Sequence, residues 1–524
     1  MAHGADESIP VWVGASDAPT IPSPPAFPSP LAFPSLGEDV RAEICVVGAG
    51  IAGLSVAYRL ARASHRVVVV EAGNGIGLGE TGRSTAHCAS AVDDRFTELE
   101  RLFGAEGARL VAGSHAAAID SIERLAADEG IACDFRRLDG WLFNDAAAPV
   151  DLAAEAEAAR RAGLVCTLAE RAPIAGFDTG PAIRFAHQAR LDPLAYVRGL
   201  GAACLRHGVR VFANSPAISV EGGHPARVST AQGWHVLADA VVVATNAPIN
   251  DRVAINGKME AHRTYVVALA ADPAAMVDAL YWDSLESYHY VRLGLAGDGT
   301  FVLIVGGEDH RTGESALGGQ RWTRLEEWAR ARFQGLGAVR ARWSGQVMEP
   351  ADSIAFIGRS PLDADNVFVA AGDSGNGITH GTIAGLLLTD LVLGRPNPWA
   401  GLYDPARVTL KAAQSYAGTN LHVAEHYAEW LTGGDVDDIA RIAAGSGAVL
   451  RHGLSKMAVY RDEHGLVHKR SAVCPHLKCI VAWNDAEGTW DCPCHGSRFD
   501  RFGRVINGPA AGPLAGLPDE DDGK

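Results

Sequence analysis

The apolar positions first mark a strand, turn, helix and strand near the start of the chain. Glu43-Ile44-Cys45-Val46-Val47 is an apolar run that enters Gly48-Ala49-Gly50-Ile51-Ala52-Gly53, after which Leu54, Ala57, Tyr58, Leu60 and Ala61 recur at the helical period. Arg66-Val67-Val68-Val69-Val70 then reads as a strand buried on both faces, the pattern of a parallel sheet. Further helices are predicted over 110–128 and 151–161, and strands at Tyr265-Val266-Val267-Ala268-Leu269 and Phe301-Val302-Leu303-Ile304-Val305. Two late apolar runs end in glycine or turn residues. Val241-Val242-Val243-Ala244 leads to Thr245-Asn246-Ala247-Pro248, and Asn366 to Asp373 leads to Gly375-Asn376-Gly377-Ile378-Thr379-His380-Gly381 and an apolar helix from Ala384 to Leu393. Residues 401–433 read as a moderately polar helical linker. Lys456 to Arg461 and Leu466 to Lys469 form an early hairpin of a last, all-β domain over 434–524.

Composition bounds the rest. With 524 residues, 48% of them hydrophobic, the chain holds two or three ordinary globular domains. A formal net charge of −16 argues against nucleic acid and anionic membrane surfaces as partners. It suits solubility, or docking of a basic redox carrier. No run reaches the roughly eighteen apolar residues of a membrane span, and Met1 to Glu7 lacks the basic and apolar regions of an export signal. A cytoplasmic location is expected. Residues 1–40, with Pro22-Ser23-Pro24-Pro25-Ala26-Phe27-Pro28-Ser29-Pro30, form a Pro-rich extended arm, and the acidic tail 519–524 is expected to be disordered. Cys45, Cys88, Cys133, Cys166 and Cys204 have no metal or disulfide spacing and read as buried thiols.

The first candidate chemistry is nucleotide binding. Gly48 suits a tight turn, Gly50 close approach of the backbone to a pyrophosphate, and Gly53 close packing of the following helix; Glu71, eighteen residues on, offers a carboxylate to a ribose. The stretch Gly77-Leu78-Gly79-Glu80-Thr81-Gly82-Arg83-Ser84-Thr85-Ala86-His87 resembles the loop after the second strand in the D-amino-acid-oxidase-like (glycine/sarcosine oxidase) family of FAD-dependent oxidoreductases. There, Arg83, Ser84 and Thr85 would contact FAD. Thr245 falls in a turn near the cofactor, and Asp373, Gly377, Ile378 and Thr379 in the family's C-terminal flavin strand and helix, whose N-terminus stabilises negative charge on the reduced ring. NAD is the weaker choice, because nothing would then explain that last glycine-rich element. The resemblance implies FAD-binding pieces over about 41–100, 185–250 and 345–400 within a domain spanning 41–400. A substrate domain would be built from about 101–184 and 251–344. The fold expected is an α/β Rossmann-like FAD domain, an α+β substrate domain with a mixed sheet, and a C-terminal all-β domain.

That last domain carries Cys474-Pro475-His476-Leu477-Lys478-Cys479 and Cys492-Pro493-Cys494-His495-Gly496-Ser497. Such spacing can imitate a zinc site, but two matched loops, each offering one thiolate and one imidazole, form the more specific pattern of a Rieske ligand set. In a Rieske 2Fe-2S cluster two thiolates hold one iron and two imidazoles the other, which assigns Cys474 and Cys492 to one iron and His476 and His495 to the second. The loops resemble those of cytochrome bc Rieske domains. That resemblance implies a Cys479–Cys494 disulfide, a covering loop at Gly508-Pro509-Ala510 and a Ser497 hydroxyl donating to cluster sulfur. The position of a second donor, a Tyr, holds Phe499, so the potential is expected below that of the bc-type proteins.

FAD accepts a hydride and a 2Fe-2S cluster carries one electron. Joined in one chain, they suggest a dehydrogenase that oxidises an amine or N-substituted amino acid and passes electrons to an external one-electron carrier. On a strand, Tyr288, Tyr290 and Arg292 would share a face, and Tyr290 and Arg292 are the candidates for holding the donor over the flavin. His87 lies where dimethylglycine and sarcosine dehydrogenases attach FAD, but their neighbouring Trp is missing, which argues against a covalent link. A Rieske oxygenase is excluded, since no His follows His495 to bind a mononuclear iron. Two alternatives remain: electrons entering through the cluster to a reductase or oxygen-activating flavin, and an FAD oxidase with a structural or redox-sensing Rieske appendage.

Overall fold

The computed structural model describes residues 9–13, 33–250, 254–285, 287–314, 319–453 and 455–517. Most of the expected Pro-rich arm and the acidic tail lie outside these. In the described part of the arm, Trp12 is buried, donating from its indole to the carbonyl of Gly82.

Two large sheets build the first four hundred residues. One has eight strands, with Phe356–Arg359, Val367–Ala371, His235–Asn246, Val40–Val47, Val67–Val70 and Arg210–Phe212 in spatial order. Four of its pairings are parallel, and Val67 to Val70 are all buried, as the uninterrupted valine run requires. The helices Ile51–Arg62 and Gly377–Val392 pack on it and on each other. The second, nine-stranded sheet is mixed. It contains Leu336–Pro350, Met259–Ala271, Phe301–Arg311, Tyr290–Leu295, Leu280–Asp283, Arg136–Phe143 and Ala182–Arg190.

Two strands of the second sheet come from stretches expected to bind FAD: His87–Cys88, inside the piece 41–100, and Ala182–Arg190, which straddles the expected border at 185; the two pair antiparallel with each other. Alternation within a strand tells which face is buried, but not which sheet recruits it. The predicted helices are present as Phe96–Asp128 and Leu152–Arg161, the latter capped by the Asp151 carboxylate on the N–H groups of Ala153 and Ala154.

After the linker helix Ala413–Tyr427 come two antiparallel sheets, Ser446–His452 with Ser455–Arg461 and Val467–Ser471, and Ala482–Asn484 with Thr489–Asp491, Arg498–Asp500 and Val505–Asn507. Among the described residues no helix is long and apolar enough to cross a membrane.

Candidate redox site

The glycines of the first turn are where a side chain would not fit. Gly48 has φ +104°, and a Cβ there would lie 2.6 Å from the carbonyl oxygen of Ala244; one on Gly53 would lie 2.0 Å from that of Gly48. The chain therefore turns tightly beneath the helix Ile51–Arg62 and leaves a cleft above it. Glu71 closes one end, accepting from the N–H groups of Ala49 and Gly73 at 2.7 Å each.

The cleft is a cavity of about 630 Å³. Of the residues expected to bind FAD, Gly48, Gly50, Glu71, Arg83, Ser84, Thr85, Thr245, Asp373, Gly377 and Ile378 line it. Gly53 and Thr379 do not. Gly53 lies behind the turn, and the buried Thr379 hydroxyl donates to the carbonyl of Asn376 inside its own helix. Asp373 accepts from the N–H of Met348 at 2.8 Å, and burial pushes its carboxyl up to about 7. The glycine-floored cavity, lined by the Glu71 carboxylate and by Gly377 and Ile378 at a helix N-terminus, fits FAD.

The second sheet supplies the opposite wall. Tyr290 stands across from Gly306, where a Cβ would collide with the phenol ring at 2.1 Å, so glycine makes room for the aromatic side chain. The Tyr290 hydroxyl pairs with that of Thr264 at 2.8 Å, and Tyr288 donates to Asp93 at 2.8 Å. Both tyrosines face the cavity, together with Asp93, Asp309, Thr264 and Trp282. Burial pushes Asp93 up to about 7 and Asp309 to about 6. Neither acid was legible in the sequence, where each looks like a polar strand or turn end.

Arg292 is corrected. It is 2% exposed, does not line the cavity, and donates to the backbone carbonyls of Thr85, Leu293 and Leu191. Tyr290 and Arg292 do leave the strand on one side, but the chain around Thr85 and Leu191 lies over the guanidinium and takes its donors. His87 stands edge-on to Tyr290 with ring centroids 5.4 Å apart; burial, with the Arg292 charge nearby, draws it down to about 3.

In the last domain the two ligand loops are joined by the Cys479–Cys494 disulfide. The thiols of Cys474 and Cys492 are buried in mutual hydrogen-bond contact, and the imidazoles of His476 and His495 lie edge to face at 4.9 Å. His495 Nδ1 is buried without a hydrogen-bond partner among the described residues, as expected of a nitrogen kept for iron. The donor set of two thiolates and two imidazoles, converging in one pocket, fits a Rieske cluster. The covering loop is in place. Ala510 N–H donates to the Ser497 hydroxyl oxygen at 3.0 Å, which leaves the hydroxyl proton for Cys474 sulfur. Phe499 is fully buried and offers no such proton. Phe499→Tyr is expected to raise the cluster potential by adding a donor toward sulfur; redox titration of both proteins checks this, and identical potentials would refute it.

The two halves meet at the cavity. Val505, Ile506, Asn507, Gly508 and Ala510 form part of its wall. Gln346, another wall residue, donates to the carbonyl oxygen of Gly496 at 2.9 Å, and Gly496 directly follows the candidate ligand His495. Gly496 has φ +74°, and a Cβ would sit 2.2 Å from that of Ala261, so only glycine permits this approach. Asn507 donates to Glu80 at 2.8 Å, and Glu80 also accepts from the Gln346 N–H at 2.7 Å. A buried ion pair, Arg263 to Glu487 at 2.6 Å, extended by Arg498 at 3.2 Å, anchors the contact. Tyr427 and Trp430 of the linker donate to the carbonyls of Leu477 and Lys478 in the first ligand loop.

The family model described as FAD dependent oxidoreductase matches residues 43–391, well over half of the chain. The chain belongs to that family. A second model, the Rieske [2Fe-2S] domain, matches residues 430–518. The Bacillus subtilis protein YhfW, whose name records a Rieske 2Fe-2S iron-sulfur protein, is 29% identical over 509 residues, covering 96% of each chain. The gamma-glutamylputrescine oxidoreductase of Escherichia coli is 27% identical, covering 69% of this chain and 85% of that one. Among solved structures, glycine oxidase from Geobacillus kaustophilus superposes with TM-score 0.60 at 19% identity, covering 70% of this chain and 99% of its own, a likeness of fold. This oxidoreductase therefore uses FAD and a Rieske 2Fe-2S cluster, as its motifs implied.

Proposed function

We propose that this FAD and Rieske oxidoreductase is a dehydrogenase. It removes a hydride from the carbon beside the nitrogen of an amine or N-substituted amino acid and releases the electrons singly, through the Rieske domain, to an external one-electron carrier. The observation that carries the reading is the bridge from Gln346 in the cavity wall to Gly496, one peptide from His495. FAD, when bound, supplies the two-electron acceptor and the cluster a one-electron exit.

The chain's own residues do the remaining work. Tyr288, Tyr290 and Trp282 form an aromatic wall that orients the donor, and the loop Gly508 to Ala510 closes the cavity on the cluster side. Asp93 and Asp309, with carboxyls near neutrality, are matched to take the proton an amine sheds before its lone pair can help the hydride leave. The gamma-glutamylputrescine oxidoreductase relative supports a C–N donor.

Anaerobic mixing of the holoenzyme with a panel of amines and N-methyl amino acids tests the reading. Bleaching of the flavin accompanied by a rhombic cluster signal in electron paramagnetic resonance is the expected result. A bleached flavin beside a permanently oxidised cluster would end the relay, and cluster reduction by an outside donor ahead of the flavin would assign the reverse flow.

A further inference from the structure

The charge at the aromatic end of the cavity is set by carboxyls. The arginines closest to it in sequence do not line the wall: Arg292 is spent on three backbone carbonyls, Arg95 donates to the carbonyl of Ser284, and Arg311 pairs with Glu260. The two histidines of the wall are neutral, since burial draws His87 down to about 3 and His380 to about 4. Arg83 donates to the carbonyl of Ser344 and feels Glu80 and Glu487 on the Rieske side, and Arg504 is exposed on the Rieske domain. What faces the donor is Asp93 and Asp309. Asp309 Oδ1 has no hydrogen-bond partner among the described residues, whereas Asp93 Oδ2 accepts from Tyr288. Behind them the Ser374 hydroxyl lies within hydrogen-bond distance of Asp94 and Glu349, two buried carboxyls; burial and the neighbouring acids push Glu349 well above the usual carboxylate range and so hold it neutral.

We propose that the substrate enters as a cation carrying no carboxylate beside its reactive nitrogen, with the ammonium seated between Asp93 and Asp309. A buried carboxylate oxygen lacking a partner is stabilised by an N–H⁺ donor, and the two carboxyls disfavour an anion at this end, since Arg321, whose charge acts on Asp309, is paired with Glu308 and does not line the wall. Tyr288 keeps Asp93 aimed at the site by donating to one of its oxygens, while Thr264, bound to the Tyr290 hydroxyl, holds Asp309. An α-amino acid would bring its carboxylate to this same end, where neither Arg292 nor a charged histidine receives it. This inference rests on the amine reading above and narrows it to amines and polyamines.

Two probes of equal shape and opposite charge separate the cases, tert-butylammonium and pivalate. Neither has a hydrogen on the carbon bearing its charged group, so neither can donate a hydride, and binding is read from the shift in the flavin spectrum of the oxidised holoenzyme. The ammonium is expected to bind about a hundredfold more tightly, the worth of a charge-assisted hydrogen bond in a buried site. Asp309→Asn, of nearly the same shape, is expected to reduce that ratio about tenfold or more with flavin and iron content unchanged. Pivalate binding as tightly as the ammonium, or no spectral change with the ammonium, overturns the proposal. The two readings fail separately. Strong ammonium binding without bleaching by any amine would leave the charge assignment standing and remove the dehydrogenation, whereas equal bleaching by amines and N-methyl amino acids would do the opposite.

Discussion

Cys492→Ser is expected to lower turnover with a one-electron acceptor by about two orders of magnitude or more, while flavin bleaching by the donor proceeds within about threefold of the parent rate. On the ligand assignment proposed from the two loops, the cluster depends on four side chains, and Cys492 would be one of the two thiolates on a single iron. Its loss removes iron without touching the cavity wall, because Cys492 does not line the cavity. Iron analysis, the rhombic signal and stopped-flow absorbance read the three consequences independently. Undiminished turnover with the one-electron acceptor, in protein shown to lack iron, would mean that electrons leave the flavin by another route. That outcome would favour the Rieske domain as an appendage.

The second large effect is structural. Glu487→Ala leaves Arg263 and Arg498 buried without their shared carboxylate, a change expected to cost about 3–5 kcal/mol. The arginines are 0% and 3% exposed and Glu487 is 4% exposed, so water does not compensate. The loss should fall on the contact between the two halves. Denaturation followed by the cluster's visible circular dichroism is expected to move to lower denaturant, and protease should cut the linker near 401–433 sooner. A variant with unchanged midpoint would show that the ion pair does not hold the domains together. Burial raises the Glu487 carboxyl, but Arg263 and Arg498 outweigh it and hold the group well below the usual carboxylate range. Its folded value is thus depressed. The stabilisation is fully present above the ordinary carboxylate range and is lost only as pH falls through that lower value, so docking should persist at pH near 4, where exposed carboxylates already titrate.

Contiguous motifs were legible for a physical reason. A dinucleotide turn needs its glycines within one strand-to-helix passage, and a Rieske cluster needs its thiolates and imidazoles in two short loops, so each leaves its chemistry in a few neighbouring residues. The residues that were missed share the opposite property. Asp93 and Asp309 stand more than two hundred positions apart, and Gln346 meets Gly496 across 150. Arg292 was misread because strand alternation gives the face a side chain leaves from, and says nothing of the backbone that descends on it. Phe499 shows the reverse case, a single position in a legible motif whose missing hydroxyl is informative without any coordinates.

The sequence by itself determined which cofactors this protein carries and in what order its two matched domains run, and it offered four candidate ligands for the cluster, because those are local requirements of backbone geometry and ligand chemistry. Tertiary structure alone decided how near the cluster loop comes to the flavin cavity and what charge greets the donor. Both are properties of distance and burial between segments far apart in the chain. One glycine without a Cβ and a buried ion pair set the first, and two carboxyls taken out of water set the second.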